Sequence, residues 1–158
     1  MIKNIAGWFG WIAVCFLASA IGSAFTYSQI PIWYASLIKS PLNPPNWVFG
    51  PVWTLLYTMM ATAAFLVWQK GWKNKNVNEA LKIFLAQLIF NTCWSILFFG
   101  QHALLSAFFL ILSLWLLILL TTMKFFRISK AAGWLMVPYL LWVSFASYLN
   151  FAVWLLNK

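Results

Sequence analysis

Residues 33–57 read WYASLIKSPLNPPNWVFGPVWTLLY. The first half is broken by Pro41, Pro44 and Pro45. Each lacks a backbone donor and drives its predecessor out of the α region, so no regular helix precedes Asn46. Asn46 offers an N-cap side chain. From there to Gln69 no charged residue occurs, and the run is long enough to cross a hydrocarbon layer of roughly 30 Å. The stretch therefore predicts a stiff loop feeding an apolar helix, with Trp53 and Tyr57 one turn apart on one face.

The rest of the chain repeats that character. Of 158 residues, 65% are apolar and 7% charged, against about 25% charged in an ordinary soluble domain. One all-α transmembrane domain over 1–158 is predicted, with helices at 5–27, 46–69, 79–100, 105–125 and 131–156 and the proline-rich segment as a lid between the first two. Residues 70–78, KGWKNKNVN, read as a polar loop, and 124–130, KFFRISK, as a basic turn. Lys3 ahead of an apolar stretch, with Ala18-Ser19-Ala20 behind it, resembles a secretion leader. The apolar run continues to about Tyr27, however, and reads as a span.

Net charge is +9 with a single acid, Glu79. The bases fall between apolar runs, where topology and anionic lipid account for them, and no nucleic-acid partner is expected. Lys3, Lys70, Lys73, Lys75, Lys82, Lys124, Arg127 and Lys130 share one side; Lys39 and Lys158 hold the other. That bias predicts a cytoplasmic N-terminus and an external lid and C-terminus in a bacterial cell membrane. Cys15 and Cys93 read as small packing residues.

Few groups are available for acid, base or metal chemistry. A single acid cannot share acid and base work, and no Cys/His cluster has metal spacing, so no metal and no required cofactor are expected. His102 reads as a solvated turn residue. Glu79 reads as a first-turn acid favouring its helix dipole. The informative residues are aromatic and amide. Trp8, Trp11, Trp33, Trp47, Trp68, Trp72, Trp134 and Trp154 fit interfacial belts. Trp53, Trp94, Trp115 and Trp142 fall deeper, where an indole N–H needs a partner. Gln87, Asn91 and Ser95 form an i, i+4, i+8 stripe. At about 1.5 Å per residue, Trp53, Asn91 and Trp142 lie roughly 10, 13 and 20 Å below the lid side. They can meet there, with Ala146 leaving a gap and Asn150 extending the polar side. Such walls suit a flat apolar ligand with a polar rim, Lys39 being the one lid cation. Interhelical hydrogen-bond glue accounts for the same amides equally well.

NPPNWVFGPVWTLLY, with WYASL before it, AQLIFNTCWSILFFG, and VPYLLWVSFASYLNFAVW near the end, resembles the TspO/MBR family of tryptophan-rich sensory and translocator proteins. The resemblance implies a five-helix membrane protein that binds tetrapyrroles such as protoporphyrin or haem, as sensor, scavenger or transporter. It implies ligand contacts at Tyr34, Pro44, Phe49, Trp53, Asn91, Trp94, Ser95, Trp142 and Ala146. Trp53 and Trp142 match the tryptophans implicated in oxidative porphyrin breakdown, which would make the protein an enzyme. A structural, partner-modulating subunit is the third expectation. The chain departs from the family's pattern at Leu42, where an aromatic is common, and at Phe151, which stands for the tyrosine of the sterol motif, so no sterol binding is expected through it. Small residues at four-residue spacing on the first helix (Ala18 and Gly22, Ser19 and Ser23) permit close packing within the bundle or a homodimer.

Overall fold

The computed structural model describes residues 2–158, with side chains from Asn4 onward. Five helices follow one another: α1 (Ile2–Thr26), α2 (Asn46–Trp68), α3 (Lys75–Ser95), α4 (Leu104–Ile128) and α5 (Lys130–Leu156). All five are long and apolar enough to cross a membrane. Going round the bundle the neighbours are α1, α2, α5, α4 and α3, which returns to α1. The most enclosed is α2, with 44% of its apolar window buried, and the least is α1, with 11%. A lipid-facing α1 needs no polar face, since the solvent around it is itself apolar.

Several boundaries differ from those expected. α3 begins at Lys75 rather than Glu79, because the Asn74 side chain accepts the Asn76 N–H and starts a helix inside the polar segment. α4 continues through Phe126 and Arg127 to Ile128. Ser129 alone then makes the corner, with an extended backbone (φ −151°, ψ 115°), and its hydroxyl accepts the Ala132 N–H to cap α5. The basic turn is therefore mostly helix. That corner is tight enough that a Cβ on Gly133 would strike the Phe126 ring. Pro45, not Asn46, occupies the cap position of α2, and it can offer no side-chain acceptor.

Glu79 lies in the second turn of the lengthened α3, not the first. Its carboxylate instead accepts a bond from Lys124 Nζ of α4 at 3.2 Å, with both side chains partly exposed. Ala18 and Gly22 of α1 are used inside the bundle, whereas Ala20, Ser23 and Ala24 are exposed. The Thr92 hydroxyl of α3 donates to the Ala18 carbonyl at 3.3 Å, and a Cβ on Gly22 would lie 3.2 Å from Ser95 Oγ.

Two wide, π-type turns close the lid end. In one, Tyr34 N–H donates to the Gln29 carbonyl; in the other, which continues α3, Gln101 N–H donates to the Ile96 carbonyl. The lid is tied down in several places. Ile38 N–H donates to Asn157 Oδ1, and Asn157 Nδ2 returns a bond to the Ile38 carbonyl. Ser40 Oγ lies 2.9 Å from the Tyr148 hydroxyl. His102, exposed in the α3–α4 turn at φ +55°, does more than meet solvent. Its ring stacks on Trp33 at 4.0 Å and pairs with Gln29 Oε1 at 3.1 Å.

Candidate functional site

Under the lid the helices part around a cavity of about 300 Å³, the lower end of the range for small-molecule sites. Every element but α4 contributes to its wall. α1 supplies Ser19, Gly22, Ser23 and Thr26, and α2 supplies Asn46, Phe49, Gly50, Trp53, Thr54 and Tyr57. Asn91, Trp94 and Ser95 come from α3, and Trp142, Ala146, Leu149, Asn150 and Val153 from α5. Tyr34, Phe98 and Phe99 from the two wide turns close the end.

Eight of the nine ligand positions implied by the sequence thus border one hollow: Tyr34, Phe49, Trp53, Asn91, Trp94, Ser95, Trp142 and Ala146. Pro44 does not. Its carbonyl instead accepts a bond from Asn43 Nδ2 at 3.0 Å, and the neighbouring Asn43 Oδ1 accepts the Tyr34 hydroxyl at 2.7 Å. The Pro44 carbonyl and the Tyr34 hydroxyl are thus linked through the Asn43 side chain. Burial raises the Tyr34 phenol above its ordinary value, and the bond to Asn43 offsets part of the rise. Lys39 does not reach the hollow either. Its ammonium donates to the Ala35 and Leu37 carbonyls and lies 4.9 Å from the Tyr34 ring centre.

At the deep end Tyr57 and Asn91 line the hollow and begin a chain of polar groups that runs on beneath it. Tyr57 hydroxyl donates to Asn91 Oδ1 at 2.9 Å, and Asn91 Nδ2 donates to the Tyr139 oxygen at 2.7 Å. The Tyr139 hydroxyl in turn donates to Gln87 Oε1 at 2.9 Å, and Gln87 Nε2 donates to Met60 Sδ. Gln87, Asn91, Tyr57 and Tyr139 are all buried. Three helices, α2, α3 and α5, are therefore joined at depth through one carboxamide, so Asn91 is both glue and floor. Asn150 has a similar double duty. It accepts the Trp94 indole N–H at 3.0 Å and donates to the Leu104 carbonyl at 2.9 Å.

The four deep tryptophans separate by these bonds. Trp94 is pinned by Asn150, and Trp115 donates to Ser144 Oγ at 2.7 Å on the α4–α5 side, away from the cavity. Trp53 and Trp142 have no hydrogen bond through their indoles among the described residues, and both face the hollow. Trp53 has aromatic neighbours instead: Tyr57 at 5.7 Å and Tyr139 at 6.2 Å between ring centres. Trp142 meets Phe49 at 6.0 Å. Among the described residues no group of His, Cys, Asp and Glu is placed to hold a metal.

Sequence reasoning missed the α1 wall and Asn46 as lining residues. The signal was present in the hydroxyls at Ser19, Ser23 and Thr26, which recur on one side of an otherwise apolar helix.

The model of the TspO/MBR family matches residues 11–155. A tryptophan-rich protein TspO of Chlorobaculum tepidum is 46% identical over 146 residues, 92% of each chain. Another of Archaeoglobus fulgidus is 43% identical over 136 residues, covering 86% of this chain and 87% of its own. The human translocator protein is 36% identical over 140 residues, covering 87% and 82%. With five spanning helices and a match over nearly its whole length, the chain is an integral membrane protein of the TspO/MBR family.

Proposed function

We propose that the protein binds tetrapyrroles of the protoporphyrin or haem type, and related flat apolar ligands, in the cavity beneath the lid, as sensor, scavenger or transporter. One observation carries this reading: Trp53 and Trp142, the two deep indoles with free N–H groups, face a common hollow whose α1 wall is made of Ser19, Gly22, Ser23 and Thr26. Indole faces stack on a flat macrocycle, and the free N–H groups can meet its rim. Ala146 leaves space for a ligand edge beside Trp142, one turn away on α5.

The test is a titration of the purified protein with protoporphyrin, followed by tryptophan quenching. Ala146→Phe, which fills the gap, and Trp142→Ala, which removes a wall, both weaken binding in this reading. If each binds as tightly as the parent, the ligand lies elsewhere.

A second reading, oxidative breakdown of the porphyrin, is favoured by the run of oxidisable rings from Trp53 to Tyr57 and Tyr139. Its mark is a new porphyrin product under illumination, beyond the bleaching of free porphyrin. Equal conversion by a Trp53→Phe, Trp142→Phe double variant removes it. We place the N-terminus in the cytoplasm and the lid outside from the distribution of lysine and arginine. Reporter fusions at the two termini test that orientation.

A further inference from the structure

Hydroxyls in the helices of this protein mostly turn back on their own backbone. Thr58, Thr62, Thr121, Ser144 and Ser147 each donate to the carbonyl four residues earlier. In a bilayer that is the default, because no water is available to take the proton. Three serines bordering the cavity break the pattern. Ser19, Ser23 and Ser95 have no hydrogen-bond partner among the described residues, and no fully buried side-chain polar atom there lacks one, so these hydroxyls are open. Ser19 and Ser23 are one turn apart on α1. Ser95 reaches the same turn from α3, its Oγ 3.2 Å from where Gly22 would carry a Cβ. The missing Cβ is what lets the third hydroxyl stand beside the other two.

The cavity's charge points the same way. None of its described lining residues is ionisable to a cation, and Lys39 is held by loop carbonyls and the Tyr34 ring. An unpaired carboxylate inside such walls is strongly disfavoured. On the α1–α2 side the wall is open, for Ser23, Gly50 and Thr54 are exposed yet line the hollow.

We propose that Ser19 and Ser23 of α1 join Ser95, which the family resemblance already implies as a ligand contact, in one hydrogen-bonding rim of the ligand site, and that the site does not read ligand charge. It takes a flat ligand through neutral donors and acceptors on its edge. Any carboxylates project through the gap between α1 and α2 toward the polar interface. This deepens the tetrapyrrole reading and rests on it.

The experiment uses the whole protein in neutral-lipid nanodiscs. Protoporphyrin and its dimethyl ester are titrated at low and high salt, with tryptophan quenching as the readout. The two compounds bind within about threefold of each other, without salt dependence, when no cation contributes. The Ser19→Ala, Ser23→Ala double variant weakens both by about two- to tenfold, the range of one net hydrogen bond, and Ser95→Ala does likewise. Unchanged circular dichroism and thermal midpoints show that these variants are folded. Diacid binding more than about tenfold tighter than the ester, and weakened by salt, overturns the charge-blind rim and leaves the tetrapyrrole reading standing. Serine variants that bind both compounds like the parent overturn the rim as well. If neither compound binds saturably to the parent, the tetrapyrrole reading falls and the rim with it.

Discussion

Replacing Asn91 with leucine tests how the bundle is held together beneath the cavity. Leucine is close to asparagine in size but can neither accept from Tyr57 nor donate to Tyr139. The two tyrosines do not suffer equally. Tyr139 keeps an acceptor for its proton in Gln87 Oε1 and loses only an incoming bond. Tyr57 loses the only acceptor it has among the described residues. A buried hydroxyl left without a partner costs about 1–3 kcal/mol, and an interhelical bond in a membrane protein averages about 0.6 kcal/mol. Asn91→Leu therefore costs about 1.5–3.5 kcal/mol in all.

The asymmetry supplies the sharper test. Tyr57→Phe on the Asn91→Leu background removes the orphaned hydroxyl and restores about 1 kcal/mol or more. Tyr139→Phe on that background restores nothing, since it strips Gln87 Oε1 of its donor. Unfolding in mixed detergent micelles, followed by circular dichroism, reads these differences. If Asn91→Leu is within about 0.5 kcal/mol of the parent, or if Tyr57→Phe destabilises it further, the chain of bonds does not hold the helices as described.

Gly133→Val forces a branched side chain against the Phe126 ring at the one-residue corner. It lowers stability by about 1–3 kcal/mol in the same unfolding assay. Asn157→Ala cuts both bonds between the end of α5 and the Ile38 backbone. Amide exchange at residues 36–42 accelerates while the helices keep their protection. Burial holds the Tyr34 phenol above its ordinary value of 10.0. The folded lid therefore binds that proton more tightly than the unfolded chain does. Its contribution is complete below pH 10.0 and declines above it, as the unfolded phenol ionises first. Tyr34→Phe removes that alkaline loss, as proteolysis of the lid across a pH series would record.

The number of spans, the loop between the first two and the pocket side of α2, α3 and α5 were all legible in the residue order. Apolar runs of fixed length can satisfy their backbone in lipid only as helices, and three prolines in five positions forbid one between Pro41 and Pro45. Helix ends were less legible. Asn74 begins α3 inside a polar segment, and Ser129 makes in one residue the corner expected to span 126–130. Each outcome rests on one side-chain bond to one N–H, which periodicity does not register.

What the chain's order determined by itself was that it spans a membrane five times and that Trp53, Asn91 and Trp142 fall at depths where they can meet. Which indoles keep a free N–H was decided only by the tertiary structure. Trp94 finds Asn150 across 56 residues, and Trp115 finds Ser144 across 29, while Trp53 and Trp142 face the hollow instead. The same holds for Asn91, which became floor and tie at once because two tyrosines from other helices reach it. Depth follows from counting residues along one helix. A hydrogen-bond partner depends on how the helices are rotated against one another, and that is set by all of their packing together.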